Sequence, residues 1–562
     1  MRLFLCVFLC VQGVLLAGPA PAQPQPPKAE TIESKGGVVV CVSPAAAEVG
    51  LAVLKRGGNA VDAAVATAFA LAVTWPEAGN LGGGGFLMVA PPGREVRCIE
   101  YRETAPAAAK VDLFADGSVT GLDHKAAGVP GTVRGLALAH ELYGKLPWKD
   151  LVTPAVTLAE DGFPVNAVLA ARLNRVLADP KTTHAEFKRV YGRPGGGKWA
   201  AGDRLVLPDL GRTLRRIADK GADGFYTGPT ADLIEEEMKA GGGLITKADL
   251  AAYRAKQRKP VHTTFRGFDV YGPPPPSSGG VCLALMLNML ENFDLKSKGR
   301  WEAETNHLVI EVMKRAYAER ARHLGDPDFA PIPDHLTTKD YAKKLAAKID
   351  PRKPTPPAEL APDIPIDRAS DNTTHFSVID RDGMAVSNTY TLENDFGNRV
   401  VVRGAGFILN NEMTDFNPRP GFTSSSGLIG TKPNRIAPGK RMLSSMTPVI
   451  VMKDGQPVLI TGSPGGRTII NTVLCVVLNV TEFGMSVPEA VTAPRMHHQW
   501  LPDEVRFEAP KQYPDLVAGL KQRGHAVIES RQGDAHSIGI DPKTGIRVGV
   551  ADRRIDGRAL GE

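Results

Sequence analysis

The apolar positions near the start of the chain predict a strand, two helices and a second strand. After a short apolar run that follows Gly36, apolar and small residues recur at helical spacing over Ala45–Arg56 and Ala60–Ala72. Four glycines, Gly82–Gly85, then precede the strand-like run Phe86–Val89. The glycine run lacks Lys-Ser/Thr and opens a strand instead of a helix, so it predicts a tight turn or close backbone approach and disfavours a phosphate loop.

The middle of the chain, from about residue 130 to 350, is predicted to be mainly helical. Its longest apolar stripe includes Leu308, Val312 and Met313. Prolines and glycines separate the periodic segments. The predicted helices are Leu136–Leu142, Trp148–Glu160, Val165–Leu177, Pro208–Lys220, Val281–Glu291 and Ala303–Leu324.

Beyond residue 372 the pattern changes to short apolar runs, and the first two predict a β-hairpin. The run 372–379 leads to Asp382-Gly383, a dipeptide typical of hairpin turns, and the run 384–391 returns. With the turn centred on that dipeptide, Thr373 and Thr391 meet at the open end of the hairpin. A shift of one residue would still leave these two threonines together.

A second hairpin is predicted around Asp454-Gly455, between the runs 447–452 and 457–461. Centred on this dipeptide, the hairpin places Ser444-Ser445 beside Pro464-Gly465.

A predicted helix, Arg467–Phe483, begins directly after Gly465 and Gly466. Adjacent backbone N–H groups at the N-terminus of a helix are suited to hold a developing oxyanion.

Composition and charge exclude a disordered protein and disfavour a nucleic-acid-binding one. The chain has 562 residues, of which 43% are hydrophobic and 23% charged, which excludes wholesale disorder. This length allows roughly three or four domains, and the 59 glycines and 45 prolines indicate many turns. The net charge of +6 is spread along the chain without a run of five like charges, so nucleic acid is disfavoured as a partner.

The first 22 residues have the pattern of a secretory signal peptide. Met1-Arg2 is followed by an apolar stretch, Leu3–Ala17, and then by small residues with an Ala-x-Ala at 20–22. A membrane anchor would need about 20 apolar residues, more than this stretch has. We therefore expect an exported protein, periplasmic or secreted, that is cut near Ala22 and has no membrane span.

The sequence contains no motif that indicates a metal site or a cofactor site. Beyond the leader, Cys41, Cys98, Cys282 and Cys475 are far apart, and His497-His498 has no HExxH motif around it, so we expect neither a metal site nor a cofactor. Cys282 and Cys475 lie in apolar runs typical of buried thiols. We interpret the two histidines as structural, and His375 as a packing and orienting residue.

The proline-rich segment Pro351–Ser370 precedes the first hairpin and admits two interpretations. Most such segments are exposed interdomain linkers. A cut before Thr373 would instead free the α-amine of this threonine to act as the base for its own hydroxyl. From the residues alone, ordinary β-propensity is the favoured explanation of Thr373-Thr374 at the start of a strand.

Ordered motifs over most of the chain resemble the γ-glutamyltranspeptidase (glutathione hydrolase) family of the N-terminal-nucleophile hydrolases. The resemblance begins at about Gly36 and continues to the C-terminus. Its motifs are Gly58–Ala64, Tyr101–Pro106, Gly128–Gly131, Pro276–Gly280, Thr373–Ser377, Thr389–Leu392 with Phe396-Gly397, Leu409–Met413 with Asp415-Phe416, Leu443–Met446 and Thr461–Gly466.

The resemblance implies a layered α+β fold, the αββα sandwich of these hydrolases, and a proenzyme that cuts itself between Asn372 and Thr373. Residues 23–372 would form a large subunit with a mobile tail from about 351, and residues 373–562 a small subunit. Both subunits would share one domain, so the proline-rich segment would be the end of the large subunit.

The resemblance also implies the roles of the site residues. Thr373 would attack the γ-glutamyl amide of a donor such as glutathione, and water or an amino acid or dipeptide acceptor would resolve the acyl-enzyme. The other implied site residues are Thr391 near the nucleophile, Gly465 and Gly466 as oxyanion donors, Arg102, Ser444 and Ser445 for the α-carboxylate, and Glu412 and Asp415 for the α-ammonium.

Two positions depart from the family pattern. Glu393 stands where well-known members have Asn, and its carboxylate could reach the ammonium but not the carboxylate of the donor. Ser426 stands where some bacterial members place a lid Tyr in the loop 417–441. A Ser covers less of the acyl-enzyme, so we expect hydrolysis to be favoured over transfer.

Two other functions remain open at this point. A glutaryl or cephalosporin acylase of the same fold would act on substrates without an α-ammonium, and Glu412 and Asp415 argue against it. A non-catalytic exported binding protein would keep the fold without being cut, and the intact Thr373, Gly465 and Arg102 argue against that.

Overall fold

The computed structural model describes residues 29–364, 374–425 and 428–562. Several predictions lie outside these ranges: the secretory signal at 1–22, the cut between Asn372 and Thr373, the nucleophile Thr373 itself and the lid residue Ser426. They stay predictions.

Helices occupy most of the chain before residue 364 and two segments after the second hairpin. In the described residues they are α1 (Pro44–Lys55), α2 (Ala60–Thr74), α3 (Thr132–Tyr143), α4 (Trp148–Glu160), α5 (Ala167–Ala178), α6 (Ala185–Tyr191), α7 (Pro208–Lys220), α8 (Asp223–Tyr226), α9 (Gly228–Gly241), α10 (Lys247–Ala252), α11 (Gly279–Leu290), α12 (Leu295–Lys298), α13 (Ala303–His323), α14 (Lys339–Ala346), α15 (Pro357–Leu360), α16 (Ile469–Thr481), α17 (Val487–Thr492) and α18 (Pro514–Gln522).

The strands of the described residues come from both ends of the chain. They are β1 (Glu30–Ser34), β2 (Val38–Cys41), β3 (Gly84–Ala90), β4 (Arg97–Glu100), β5 (Phe163–Pro164), β6 (Arg204–Leu205), β7 (Lys256–Arg258), β8 (Val261–Phe265), β9 (Phe268–Gly272), β10 (Thr374–Ile379), β11 (Ala385–Thr391), β12 (Val449–Lys453), β13 (Gln456–Thr461), β14 (Met496–His497), β15 (Val505–Phe507), β16 (Val527–Glu529), β17 (Ser537–Ile540), β18 (Arg547–Ala551) and β19 (Arg558–Gly561).

Two seven-stranded antiparallel sheets form the centre of the molecule. Their strand orders are β1-β18-β17-β13-β12-β9-β8 and β19-β2-β10-β11-β3-β4-β7. The second sheet mixes strands from before and after the undescribed residues 365–373: β10 pairs with β2 on one side and with β11 on the other, and β11 pairs with β3.

Strands that are covered on both faces explain the continuous apolar runs in the sequence. In β2, Val39 and Cys41 pack into a core cluster with α1 and α2. The alternate residues Val38 and Val40 pack into a second cluster, which includes residues of the other sheet and of α16. Helices therefore cover the outer faces of two stacked sheets, and the predicted αββα sandwich is confirmed.

The first hairpin forms as β10–β11, but its turn is one residue longer than predicted. Ile379 faces Ala385, and the N–H of Met384 donates to the carboxylate of Asp380 at 3.0 Å. Gly383, with φ of +89°, takes the left-handed position of a three-residue loop. The register predicted from a two-residue turn was therefore wrong by one residue, because the Asp380 side chain closes a longer loop.

The second hairpin keeps the predicted register only at its turn. Lys453 faces Gln456 as predicted, and a β-bulge after Val451 then shifts the pairing by one residue. Met452 at this bulge faces Pro457, which has no N–H to donate to the ladder. The strand ends nearest the candidate site are consequently displaced by one residue from the prediction.

The predicted helices are all present: α4 and α7 have the predicted bounds, and the ends of the others are shifted by a few residues. One boundary matters for the site: α16 begins at Ile469, because the residues Gly466–Thr468 form a 3₁₀ turn first. The glycine run before β3 is a close backbone approach, as predicted, since a Cβ on Gly83 would lie 2.0 Å from the carbonyl oxygen of Thr391.

The proline-rich segment is anchored over the part that the structure describes, up to residue 364. The hydroxyl of Thr355 donates to Glu311 at 2.6 Å, and Arg322 pairs with Asp363 at 2.8 Å. Ile364 is buried. The tail that we predict to be mobile is thus tied to α13 over its described half.

The described cysteines are free and buried, as expected for Cys282 and Cys475. Burial raises the pKa of the Cys41 and Cys282 thiols to about 12, so these thiols are unreactive near neutral pH. No helix in the described ranges combines the length and apolar character that a bilayer span requires.

Candidate active site

A cavity of about 540 Å³ lies where the end of β11 meets the 3₁₀ turn before α16. It gathers residues that are up to 365 positions apart in the sequence. The predicted site residues that line it are Arg102, Thr391, Glu393, Glu412, Asp415, Ser444, Ser445 and Gly466. Gly465 lines a smaller neighbouring cavity, which also contacts Glu393 and Thr374, the first residue of β10.

One end of the cavity is built around Arg102, whose side chain is 1% exposed. Its Nη1 lies 2.5 Å from Glu412, its Nη2 pairs with Asp415, and its Nε donates to the carbonyl oxygen of Met442 at 3.2 Å. The family resemblance implies separate roles, with Arg102 binding the α-carboxylate of the donor and with Glu412 and Asp415 binding its α-ammonium. The structure instead joins all three in one ion-pair cluster.

Glu103, for which the sequence predicts no role, belongs to the same cluster. It is fully buried, one carboxylate oxygen lies 3.4 Å from Arg102, and the other has no hydrogen-bond partner among the described residues. Burial raises the pKa of Glu103 to about 7 despite the neighbouring Arg102. Burial also holds the pKa of Glu412 well above its usual range. We call Arg102, Glu103, Glu393, Glu412 and Asp415 the acidic end.

Glu393 completes the acidic end in a conformation that non-glycine residues rarely adopt. Its φ is +79°, and its backbone N–H donates to the hydroxyl oxygen of Thr391 at 2.9 Å. The side-chain amide of Asn411 donates to its carboxylate. Such strained residues cluster at functional sites, and this one links the acidic end to the predicted partner of the nucleophile.

The other end of the cavity presents hydroxyl groups. The segment Pro276–Ser278 fixes the backbone of Ser444 and Met446, because the N–H of Ser278 donates to Ser444 O at 2.8 Å and the Ser277 hydroxyl to Met446 O at 2.6 Å. The Ser444 hydroxyl oxygen accepts the N–H of Met446 at 3.0 Å, which leaves its own proton for another acceptor. We call Ser444, Ser445 and the adjoining Arg320 the hydroxyl end.

The glycine loop before α16 fits the predicted oxyanion site. Gly465 has φ of +126°, which L side chains rarely adopt, and a Cβ there would lie 2.5 Å from the Thr468 hydroxyl. Among the described residues, the N–H groups of Gly465 and Gly466 have no hydrogen-bond acceptor. Two backbone donors of this kind are suited to an oxyanion.

A second loop fixes the glycine loop from behind. The hydroxyl oxygen of Ser463 accepts the N–H of Asp534 at 3.0 Å, and the hydroxyl donates to Pro464 O at 2.7 Å. The residues that follow Asp534 also reach the strand of the predicted nucleophile, since the Ser377 hydroxyl donates to His536 O at 2.9 Å. No local sequence pattern predicts this link, because it joins positions 71 and 159 residues apart.

Histidines do not offer a base in the described site. His375 is buried between the hydroxyls of Thr389 and Ser377, at 2.8 and 3.1 Å, and burial lowers its pKa well below the usual value. This confirms its prediction as a packing and orienting residue. His497 and His498 are buried and contact Asn471 and Asp503 respectively, which confirms the structural interpretation.

A loop over the cavity carries apolar side chains. Phe422, Leu428 and Ile429 line it together with the exposed Arg419. The described parts of the loop are joined by a hydrogen bond of 2.7 Å from the N–H of Gly421 to Gly430 O. The described parts of this loop therefore form one side of the cavity, and its role as a lid stays a prediction.

Comparison with known proteins agrees with this geometry. Residues 46–562 match the family model described as gamma-glutamyltranspeptidase. The chain is 45% identical, over 95% of its length and 94% of the relative's, to a glutathione hydrolase proenzyme of Escherichia coli (strain K12).

Solved structures agree as well. A cephalosporin acylase from Bacillus halodurans superposes with a TM-score of 0.85 at 28% identity and covers 97% of this chain and 99% of its own. The gamma-glutamyltranspeptidase of Helicobacter pylori gives a TM-score of 0.54 at 42% identity, over 56% of this chain and 92% of that one. The chain belongs to the gamma-glutamyltranspeptidase family, and its fold is one that this family shares with acylases.

Proposed function

We propose that this γ-glutamyltransferase and glutathione hydrolase matures by cutting itself between Asn372 and Thr373. The observation that carries the proposal is one cavity that holds the acidic end, the hydroxyl end, Thr391 and Gly466 together. The segment that precedes β10 leads to this cavity, since Thr374 contacts the neighbouring one beside Gly465. The word proenzyme in the name of the Escherichia coli relative supports the cut.

After the cut, Thr373 would supply both the nucleophile and its base. Its free α-amine takes the proton of its hydroxyl, and the hydroxyl oxygen attacks the γ-carbonyl of the donor. The N–H groups of Gly465 and Gly466 stabilise the oxyanion. The amine of the leaving group takes the proton as the C–N bond breaks, and an acyl-enzyme remains. Water, or the amine of an amino acid or dipeptide, then attacks this ester and releases Thr373.

The two ends of the cavity would hold the amino-acid head group of a γ-glutamyl compound such as glutathione. Its α-ammonium fits the carboxylates Glu393, Glu412 and Asp415. Its α-carboxylate fits the guanidinium of Arg102 and the hydroxyl protons of Ser444 and Ser445. The head group would add one charge of each sign and extend the ion-pair cluster into the cavity.

The proposal includes the subunits and the location of the protein. Residues 23–372 and 373–562 would remain together as large and small subunits, because strands of both halves pair within one sheet. The leader-like pattern at 1–22 supports an exported protein, periplasmic or secreted.

Mass spectrometry of the purified full-length protein tests the cut. We expect a chain that starts at Thr373, and a single uncut chain for Thr373→Ala. Thr373→Ser, which keeps a hydroxyl, should still be cut. Thr153→Ala, an exposed threonine on α4, is the matched control and should be cut like the unaltered protein.

An activity assay with γ-glutamyl-p-nitroanilide tests the chemistry. We expect anilide release only from preparations that contain the Thr373 N-terminus. An uncut protein that releases anilide at an undiminished rate, or a cut protein without activity on any γ-glutamyl amide, would contradict the proposal.

A further inference from the structure

Arg320 is a buried guanidinium in the wall of the cavity, and no carboxylate forms an ion pair with it among the described residues. Its neighbours on α13 differ in this respect. Glu319 pairs with Arg322, and Arg322 also pairs with Asp363, away from the cavity. The sequence predicts no role for Arg320, which lies in the predicted helix Ala303–Leu324.

The hydrogen bonds of Arg320 converge on the hydroxyl end. Its Nε donates to the Ser278 hydroxyl oxygen at 2.9 Å, and its Nη2 donates to the Ser445 hydroxyl oxygen at 3.1 Å. The Ser278 hydroxyl in turn donates a hydrogen bond to the backbone carbonyl oxygen of Ser444 at 2.6 Å. Arg320 thus ties together the two segments that form this wall.

The bond to Ser445 determines what that hydroxyl can do. A serine hydroxyl has one proton to donate, and its oxygen accepts. Since the oxygen accepts from Arg320, the proton of Ser445 is directed to another acceptor. Ser444 is in the same state, because its oxygen accepts the N–H of Met446. Both hydroxyl protons are consequently available to an anion in the cavity.

The charge of Arg320 also lacks compensation. Burial, followed by the nearby Arg467, lowers its pKa from the usual value, yet an arginine keeps its proton in proteins. A buried charge without a partner is costly. Arg102, by contrast, already contacts three carboxylates. Arg320 therefore adds to the hydroxyl end a buried positive charge that no carboxylate of the described residues pairs with.

We propose that Arg320 is a positioning residue for the α-carboxylate of the donor, acting through Ser445. Its guanidinium fixes the Ser445 hydroxyl with the proton toward the carboxylate, and its charge attracts that carboxylate to the hydroxyl end. This inference rests on the proposed function, because it assumes a γ-glutamyl donor.

Two donors that differ by one group test the proposal on the full-length, self-cut protein. γ-Glutamyl-p-nitroanilide carries the α-carboxylate, and 4-aminobutyryl-p-nitroanilide has a hydrogen in its place. We expect Arg320→Gln to raise KM for the γ-glutamyl compound about 10- to 100-fold, as for loss of a hydrogen bond to a charged group, with little change in kcat. For the 4-aminobutyryl compound kcat/KM should change less than about threefold.

Three further variants separate positioning from folding. Arg320→Lys restores the charge and should recover at least half of the loss in log KM. Arg322→Gln, on the same helix but outside the cavity, should behave like the unaltered protein. In a Ser445→Ala background, Arg320→Gln should have a clearly smaller effect, because the two residues act on one contact.

The outcomes are distinct. An equal loss of kcat/KM on both donors, or an unchanged KM on the γ-glutamyl compound, would overturn the role of Arg320. The appearance of the Thr373 N-terminus in each variant shows that it folds and processes. An unaltered protein that is inactive on γ-glutamyl-p-nitroanilide would overturn the proposed function itself, whatever the variants do.

Discussion

The two ends of the cavity differ in whether the charge of their arginine is compensated by carboxylates. At the acidic end, Arg102 is surrounded by Glu103, Glu412 and Asp415, and its charge is compensated within the chain. At the hydroxyl end, the side-chain hydrogen bonds of Arg320 within the described ranges go to the neutral hydroxyl oxygens of Ser278 and Ser445. The acidic end therefore has an excess of negative charge, and the hydroxyl end has an excess of positive charge.

This difference indicates how a site can recognise a zwitterion. An amino-acid head group carries both signs within a few ångströms, so opposite excesses at two ends of one cavity fix its orientation. An acyl donor with only one of the two charges would satisfy only one end. The following changes test the two ends separately, from the largest expected effect to the smallest.

Arg102→Gln should cause the largest loss, because it leaves the buried carboxylates of Glu103 and Glu412 and the half-buried carboxylate of Asp415 without their cation. We expect unfolding free energy to fall by about 3–5 kcal/mol, the range for breaking a buried ion pair. Urea unfolding of the full-length protein measures it. The control Arg215→Gln removes an exposed ion pair with Glu160 and should cost at most about 1 kcal/mol. Equal costs for the two variants would show that the cluster is not held by charge.

Removing charge from the acidic end should relax donor selection for the ammonium. In Glu412→Gln combined with Asp415→Asn, kcat/KM for γ-glutamyl-p-nitroanilide should fall about 10- to 100-fold relative to glutaryl-p-nitroanilide, which lacks the ammonium. Preference over the 4-aminobutyryl compound, which keeps the ammonium, should not fall. If both preferences fell together, the two ends would not be separate.

Glu103 makes the stability of the acidic end depend on pH. Its pKa is about 7 in the folded chain, mainly through burial, and lower in the unfolded chain. Between about pH 4.5 and 7 the folded state therefore holds more protons, so this group lowers stability as the pH rises. In Glu103→Gln the thermal midpoint should fall less over this window than in the unaltered protein. A parallel pH dependence of the two proteins would contradict the assignment. The arginines and serines of the hydroxyl end do not titrate there.

A change in the predicted lid, the loop 417–441, should have the smallest effect. In Ser426→Tyr, the added ring should shield the acyl-enzyme, and the ratio of transfer to glycylglycine over glutamate release should rise by about threefold, under 1 kcal/mol. Product analysis at neutral pH measures this ratio. The interpretation fails if the unaltered protein already favours transfer at neutral pH.

Local pattern was sufficient to predict much of the fold. The predicted helix Trp148–Glu160 has the observed bounds, and both hairpins form. The predicted strand register was wrong in each hairpin where a residue outside the turn dipeptide changed the loop length or the pairing. Asp380 closes a longer loop, and Pro457 accompanies a bulge.

The candidate site was predictable only where a motif surrounds the residue. Arg102 and Ser444 stand in quoted motifs and line the cavity together. Arg320 was missed because its contact with Ser445 spans 125 residues. A sequence signal does exist: α13 carries Lys314, Arg315 and Arg320 along a stretch that is buried on every side. Charged side chains in such a buried helix need polar or charged partners. The sequence pattern therefore indicates which residues to examine, but not which partners they contact.

The interleaved order of the second sheet has a consequence for the cut protein. With the chain divided before Thr373, β10 and β11 would belong to one polypeptide, while β2 and β3 on either side would belong to the other. Unfolding would then release two molecules, and only an encounter between them could rebuild the sheet. Renaturation of the mature form would therefore be second order and improve with protein concentration, whereas the uncut precursor would refold at a rate independent of it.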